Sequence, residues 1–133
     1  MFAKTFSFGL IGIDAYPITI EVHCQKGIPG IAIVGLPDSA VRESRERVLS
    51  AIKNSGFDFR PQKITINLSP ADTKKEGASF DLAIALGILA ASEAIDAGPL
   101  KKYVFLGELS LDGAVQPARG VLPIVFSLNR DEF

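Results

Sequence analysis

Two stretches of the chain bring chemically capable side chains close together. Lys74-Lys75-Glu76-Gly77-Ala78-Ser79 sets two ammonium groups and a hydroxyl at the start of an apolar run. If that run is a helix, its unpaired amides favour anions at the same place. A phosphate or nucleic-acid backbone contact is one reading of the loop, and a serine nucleophile at Ser79 is another. The plainer reading is a helix cap near Ser79 flanked by solvated lysines. The second stretch carries Arg42, Arg45 and Arg47. From Asp38 to Gly56 these three and Lys53 stand against Asp38, Glu43 and Glu46, a balance too even for a DNA footprint by charge alone. Glu43 and Arg47 are four residues apart, the spacing of a helical ion pair. A solvated or subunit-contacting face therefore competes with direct DNA contact.

Other chemistries lack their parts. A P-loop needs a lysine and a hydroxyl residue after its second glycine. Gly30 and Gly35 have the right separation, but Leu36-Pro37 follow, and proline removes an amide donor. No ATP hydrolysis is expected of this chain alone, and no cofactor. His23 and Cys24 are the only histidine and cysteine. As strand neighbours they point to opposite faces, one buried and one exposed, and cannot share a metal. A single cysteine excludes an internal disulfide and suits a reducing cytoplasm. Asp72 and Asp81 are too isolated to form an acid–base pair, and Asp81 is placed to favour a helix dipole.

The elements that would position these groups follow from periodicity. Phe6, Phe8 and Leu10 alternate with Thr5, Ser7 and Gly9, and Ile18, Ile20 and Val22 alternate after them, which predicts a hairpin with the apolar residues buried. Ile31 to Val34 reads as a short buried strand. Val41, Val48, Leu49 and Ile52 share one face of a helix from Pro37 to Asn54; Asp38 or Ser39 caps it and Gly56 ends it. Ile64, Ile66 and Leu68 alternate as a further strand. Ala78 to Ala94 is apolar enough to be a helix covered on most sides. Tyr103 to Leu109 reads as a strand, Asp112-Gly113 as a turn, and Ala114 to Gln116 as the return strand. A last helix opens at Gly120, with Pro123 tolerated in its first turn. Asn129 to Phe133 leave that helix unfinished, so residues 1–133 are expected to be one domain cut from a longer protein.

This order predicts an α+β two-layer sandwich, a mixed sheet with helices on one face. At 133 residues with 47% hydrophobic and 22% charged content, the chain is long enough for one core and needs no staple. The formal charge of −1 gives no global attraction to nucleic acid or membrane. The N-terminus lacks the pattern of a signal peptide, and the longest apolar run, Leu82 to Ala91, is about half a membrane span. A cytoplasmic location without membrane attachment is expected.

Three stretches in order, Gly35-Leu36-Pro37-Asp38-Ser39-Ala40-Val41-Arg42-Glu43-Ser44-Arg45-Glu46-Arg47-Val48, Ile66-Asn67-Leu68-Ser69-Pro70-Ala71-Asp72 and Gly107-Glu108-Leu109-Ser110-Leu111-Asp112-Gly113, resemble the N-terminal domain of magnesium-chelatase-like, ComM/YifB-type AAA+ proteins. The resemblance covers essentially the whole chain. It implies a fold like domain 2 of ribosomal protein S5, shared with the Lon proteolytic domain and the C-terminal domain of RadA. It also implies a parent with an ATPase module that binds ATP and Mg, assembles as a hexamer, and migrates DNA branches during natural transformation. The partners so implied are that module, neighbouring subunits and DNA.

The similarity to Lon sharpens the question at Ser79. Lon places its serine just after a lysine–acid–glycine loop, and Lys75-Glu76-Gly77-Ala78-Ser79 is similar. Lon's lysine follows a Gly-Gly-Leu run; here Arg119-Gly120-Val121-Leu122 leaves Leu122 in its place. A serine without a base is a weak nucleophile, and Lys101 or Lys102 would have to rearrange to supply one. The resemblance therefore implies an accessory domain for ring assembly or DNA engagement. A Lon-like peptidase and a metal-chelatase module are the alternatives.

Overall fold

A computed structural model describes residues 1–128 of the chain; the expected end of the last helix, 129–133, lies outside them. The strands are β1 (Phe2–Ile11), β2 (Asp14–Gln25), β3 (Gly30–Val34), β4 (Lys63–Ser69), β5 (Glu108–Leu109) and β6 (Val115–Gln116), and the helices α1 (Ser39–Asn54), α2 (Asp81–Ala91) and α3 (Val121–Ser127). The main sheet has the order β1-β2-β4-β3. β1 and β4 run antiparallel to β2, and β3 runs parallel to β4. β5 and β6 form a separate small ribbon. The result is a mixed-sheet α+β two-layer sandwich, as the element order predicts.

Register explains the core. Ile20 pairs with Leu68 and Val22 with Ile66, and Ile33 pairs with Ile66 from the other side. Because side chains alternate, these residues share one face. Ile20, Val22, Ile66 and Leu68 have no exposed surface, each worth about 1.5–3 kcal/mol of burial. α2 lies on this face. Nine of its eleven residues are buried, so it needs cover beyond the sheet, and α1 packs against it. Gly87 makes the approach possible, since a Cβ there would lie 2.7 Å from Val22 Cγ2.

The phase of β1 differs from the periodic reading. Thr5 pairs with Ile20 and Ser7 with Ile18, which puts the hydroxyl residues, not the phenylalanines, on the helix-covered face. Thr5 Oγ1 donates to Ala83 O at 2.8 Å and Ser7 Oγ to Phe105 O at 2.8 Å. Small hydroxyls win there because α2 and the 103–107 segment come close enough to offer them backbone carbonyls. That segment is the second departure. Instead of a strand from Tyr103, a 3-10 turn spans Gly98–Lys102 and regular pairing begins only at Glu108. The chain holds to β1 through Phe105 N and Phe6 O at 2.8 Å. Helix α2 is also shorter than Ala78–Ala94 at both ends.

Gly35 closes β3 with φ near 104°, and a Cβ there would sit 2.2 Å from the Leu68 carbonyl oxygen. Gly35→Ala is therefore expected to destabilise the chain by about 2 kcal/mol or more. Urea unfolding should show a lower midpoint at unchanged slope.

Candidate functional site

The most concentrated polar chemistry lies between α1, α2 and β5. Asp81 opens α2 with no exposed surface. Its Oδ1 accepts from Ser44 Oγ at 2.5 Å and Arg47 Nη2 at 3.1 Å, and its Oδ2 from Arg47 Nε at 2.6 Å and Leu109 N at 3.0 Å. Arg47 Nη2 also reaches the Ala40 carbonyl at 2.9 Å. Hydrogen bonding to Asp81 raises the Arg47 pKa, against an opposing effect of burial. The guanidinium, itself partly exposed, is thus spent on a bidentate pair with a buried carboxylate. The expected Glu43–Arg47 contact exists at 3.7 Å, with Glu43 exposed, and adds little. Arg47 is thus held in an internal clamp instead of extending from the α1 surface, and Asp81, in the first turn of α2 as expected, is also the centre of that clamp. The signals for both were present. Ser44 interrupts the Val41–Val48 stripe, and Asp81 heads a helix with no water-facing side to solvate it.

Asp38 performs a second junction. Its Oδ1 accepts from Val41 N at 2.8 Å, the N-cap bond, and its Oδ2 from Gly77 N at 3.1 Å. The main chain repeats the tie, with Asp38 N to Lys75 O at 2.9 Å and Lys75 N to Leu36 O at 3.0 Å. Lys75 is fully buried, and its ammonium donates to the Pro70 carbonyl. Burial lowers its pKa, partly offset by Asp72. The expectation of two surface lysines at this loop is corrected: Lys75 lies inside, its backbone bridged to Pro37 and its ammonium on the Pro70 carbonyl. Lys74 is exposed, 3.8 Å from Glu76.

Ser79 lines a cleft of about 550 Å³ together with Asp38, Glu76, Glu108 and Arg119. Its carbonyl accepts from Gly107 N at 2.9 Å, fixing the loop to the 103–109 segment. Among the described residues no lysine or histidine lines this cleft. Leu122 is exposed on α3, against the tip of the β1–β2 hairpin, and Lys101 and Lys102 close the 3-10 turn. The arrangement can bind through carboxylates, a guanidinium and a hydroxyl, and among those side chains Ser79 has no lysine of the Lon type beside it.

Arg42 and Arg45 stay exposed, beside Ile31, Ala32 and Ile33 of β3. Of the five candidate cations, Lys74, Arg42 and Arg45 therefore remain at the surface, and the loop and helix sets face different neighbours. His23 is exposed and meets Gln25 Oε1 at 3.2 Å, whereas Cys24 is buried with its pKa raised by burial. Among the described residues no group of His, Cys, Asp or Glu is gathered for a metal, and no helix is long and apolar enough to cross a membrane.

Residues 20–133 match the family model described as subunit ChlI of Mg-chelatase. The chain is 52% identical to protein YifB of Escherichia coli over 112 residues, 84% of this chain and 22% of that protein. Protein YifB of Salmonella typhimurium is 53% identical over the same shares. Competence protein ComM of Haemophilus influenzae is 44% identical over 130 residues, 98% of this chain and 26% of its own length. The chain thus spans about a quarter of the length of these relatives.

Removing either partner of the clamp leaves a buried charge or its donors unpaired. Asp81→Ala and Arg47→Ala should each cost about 3 kcal/mol or more. The double variant should lose clearly less than the sum, a coupling read by denaturant unfolding of all four proteins. Lys75 gives a pH signature. Its folded pKa lies below the ordinary 10.5, so in the window between the two the unfolded chain holds more protons. Its contribution to stability therefore rises with pH there. Against Lys75→Met, the wild type should gain relative stability as pH climbs towards 10.5, measured by urea midpoints from neutral pH upward.

Proposed function

We propose, from the premise that this chain belongs to the family of Mg-chelatase subunit ChlI, that it is a non-catalytic accessory domain of a ComM/YifB-type AAA+ ATPase. In that role it helps the parent's ring assemble and helps it engage DNA during branch migration. The ATP and Mg chemistry belongs to the ATPase module of the parent, and the working form is a hexamer in the cytoplasm.

The observation that carries this reading is the Ser79 cleft, where the nucleophile-like hydroxyl has no lysine or histidine beside it among the described residues. Acyl transfer to serine needs a positioned base to take its proton. Two of the neighbouring polar groups are spent on structure: Lys75 is buried on Pro70 O, and Asp38 is occupied by Val41 N and Gly77 N. A domain whose polar residues hold elements together suits work as a rigid part of a larger machine. The name of ComM, a competence protein, supports a DNA-processing parent. A metal-chelatase role has less support, because the cleft groups form no metal-holding cluster among the described residues.

Two measurements test the proposal. Ser79→Ala should leave cleavage of a fluorogenic peptide at the background rate of the unchanged chain; Ser79-dependent cleavage would restore the peptidase. Anisotropy of labelled forked DNA across a salt series should show binding that weakens with salt. Lys74→Ala is the clean variant at the loop, because Lys75→Ala would also disturb the fold. It should weaken binding and reduce the salt slope by about one. If no binding appears at high micromolar chain, the role narrows to assembly.

A further inference from the structure

The main sheet ends at β3, and among the described residues no strand pairs with its outer edge. Gly30 N donates to Gln62 O at 3.2 Å, so Gly30 turns its amide towards β4. Ala32 and Val34 follow by the alternation of a parallel ladder. The amides and carbonyls of Ile31 and Ile33 therefore point out of the sheet. The opposite edge is handled differently, since β1 is held there by Phe105 N on Phe6 O and Ser7 Oγ on Phe105 O.

Native sheets blunt an open edge with charge, proline or a bulge. Gly30-Ile31-Ala32-Ile33-Val34 has no charge and no proline, and its register with β4 is continuous. Ile28, Val34 and Leu36 lie along the same border, 88%, 46% and 52% exposed. Beside the strand, Arg42 and Arg45 close a groove of about 330 Å³ with Ile31, Ala32 and Ile33. Among the described residues neither guanidinium pairs with a carboxylate; Arg45 Nε donates to Arg42 O at 3.1 Å.

We propose that the free edge of β3 accepts an extended acidic polypeptide segment as an added strand, its alternate carboxylates meeting Arg42 and Arg45. Backbone bonds to Ile31 and Ile33 would supply affinity, and the charge pattern selectivity. Residues three apart on a helix lie about 5–6 Å apart, and alternate residues of a strand about 6.6 Å apart, so the two repeats match. A second copy of the chain fits worse. Two-fold pairing of β3 with itself would bring both copies' Arg42 and Arg45 to one seam, and like charges facing each other are unfavourable. This inference stands on the sheet edge and its arginines and does not depend on the ATPase reading.

The probe is a fluorescein-labelled synthetic octapeptide of alternating Glu and Val, with a Lys/Val peptide and an N-methylated Glu/Val peptide as controls. The Glu/Val peptide should bind the whole chain, and hydrogen exchange at the Ile31 and Ile33 amides should slow at least tenfold. N-methylation should abolish binding. Arg42→Glu with Arg45→Glu should weaken the Glu/Val peptide at least tenfold and bind the Lys/Val peptide instead. Both sites are exposed, so circular dichroism should show the fold intact. Absence of Glu/Val binding overturns the proposal, as does binding with Ile31 and Ile33 exchange unchanged. Tighter, equally arginine-dependent binding of forked DNA would assign the groove to nucleic acid. Sedimentation showing a dimer that protects the same amides would assign it to a second copy.

Discussion

Asp81 sits where no water reaches it, and a bare carboxylate there would cost far more than a domain of this size can spare. Its position is tolerable only because four donors converge on it: Ser44 Oγ, Arg47 Nε, Arg47 Nη2 and Leu109 N. Those donors come from α1 and from the end of β5, so satisfying one charge sets the separation of three elements at once. Apolar packing alone would not choose this geometry so narrowly, because α2 is nearly uniform in its apolar character. Gly87 against Val22 and the Thr5 bond to Ala83 O limit how α2 sits on the sheet, but they leave its contact with α1 to apolar packing. The carboxylate at its first residue fixes that contact.

The loop before α2 is constrained from the other side. Asp38 divides its two oxygens between the first turn of α1 and Gly77, while the Pro37–Lys75 bridge joins the same two segments through the main chain. The buried Lys75 ammonium then answers the Pro70 carbonyl. Between them, these contacts define the wall of the Ser79 cleft. A loop that looks built for phosphate or for catalysis in one dimension is, in three, largely consumed in holding its own shape. Only Lys74 keeps a free ammonium at the surface, and even that lies near Glu76.

Periodicity served best where one face meets apolar side chains. β4 and α1 have nearly the expected limits, β2 runs beyond its Ile18–Val22 alternation at both ends, and Asp38 and Gly56 mark the ends of α1 as cap and stop. It held only in part for β1, where Phe8 is buried but the helix-covered face carries Ala3, Thr5 and Ser7. The alternation was visible, but hydrophobicity names the wrong face when the covering elements present backbone carbonyls instead of side chains. The 103–107 segment departs from the strand expected there for a related reason: its backbone is tied to β1 by isolated bonds, without a ladder. The site was less legible still. Charge counting treats Arg42, Arg45 and Arg47 alike, yet only Arg47 lies on the flank of α1 that meets α2. No local pattern tells a buried arginine from an exposed one unless its partner carboxylate is sought elsewhere in the chain.

That distinction reorganises the functional question. If all three arginines had faced outward, α1 would offer one broad basic surface of doubtful charge excess. With Arg47 withdrawn, what remains is narrower and better defined: Arg42 and Arg45 against an uncharged strand edge whose outward amides and carbonyls need partners. Two guanidiniums alone would be a weak, salt-screened feature, and an open edge alone would be indiscriminate. Together they combine directional backbone bonding with a sign preference. The same clamp that hides Arg47 fixes α1 over the sheet and so sets the distance from Arg42 and Arg45 to β3. The internal ion pair and the external groove are thus two consequences of one placement of α1.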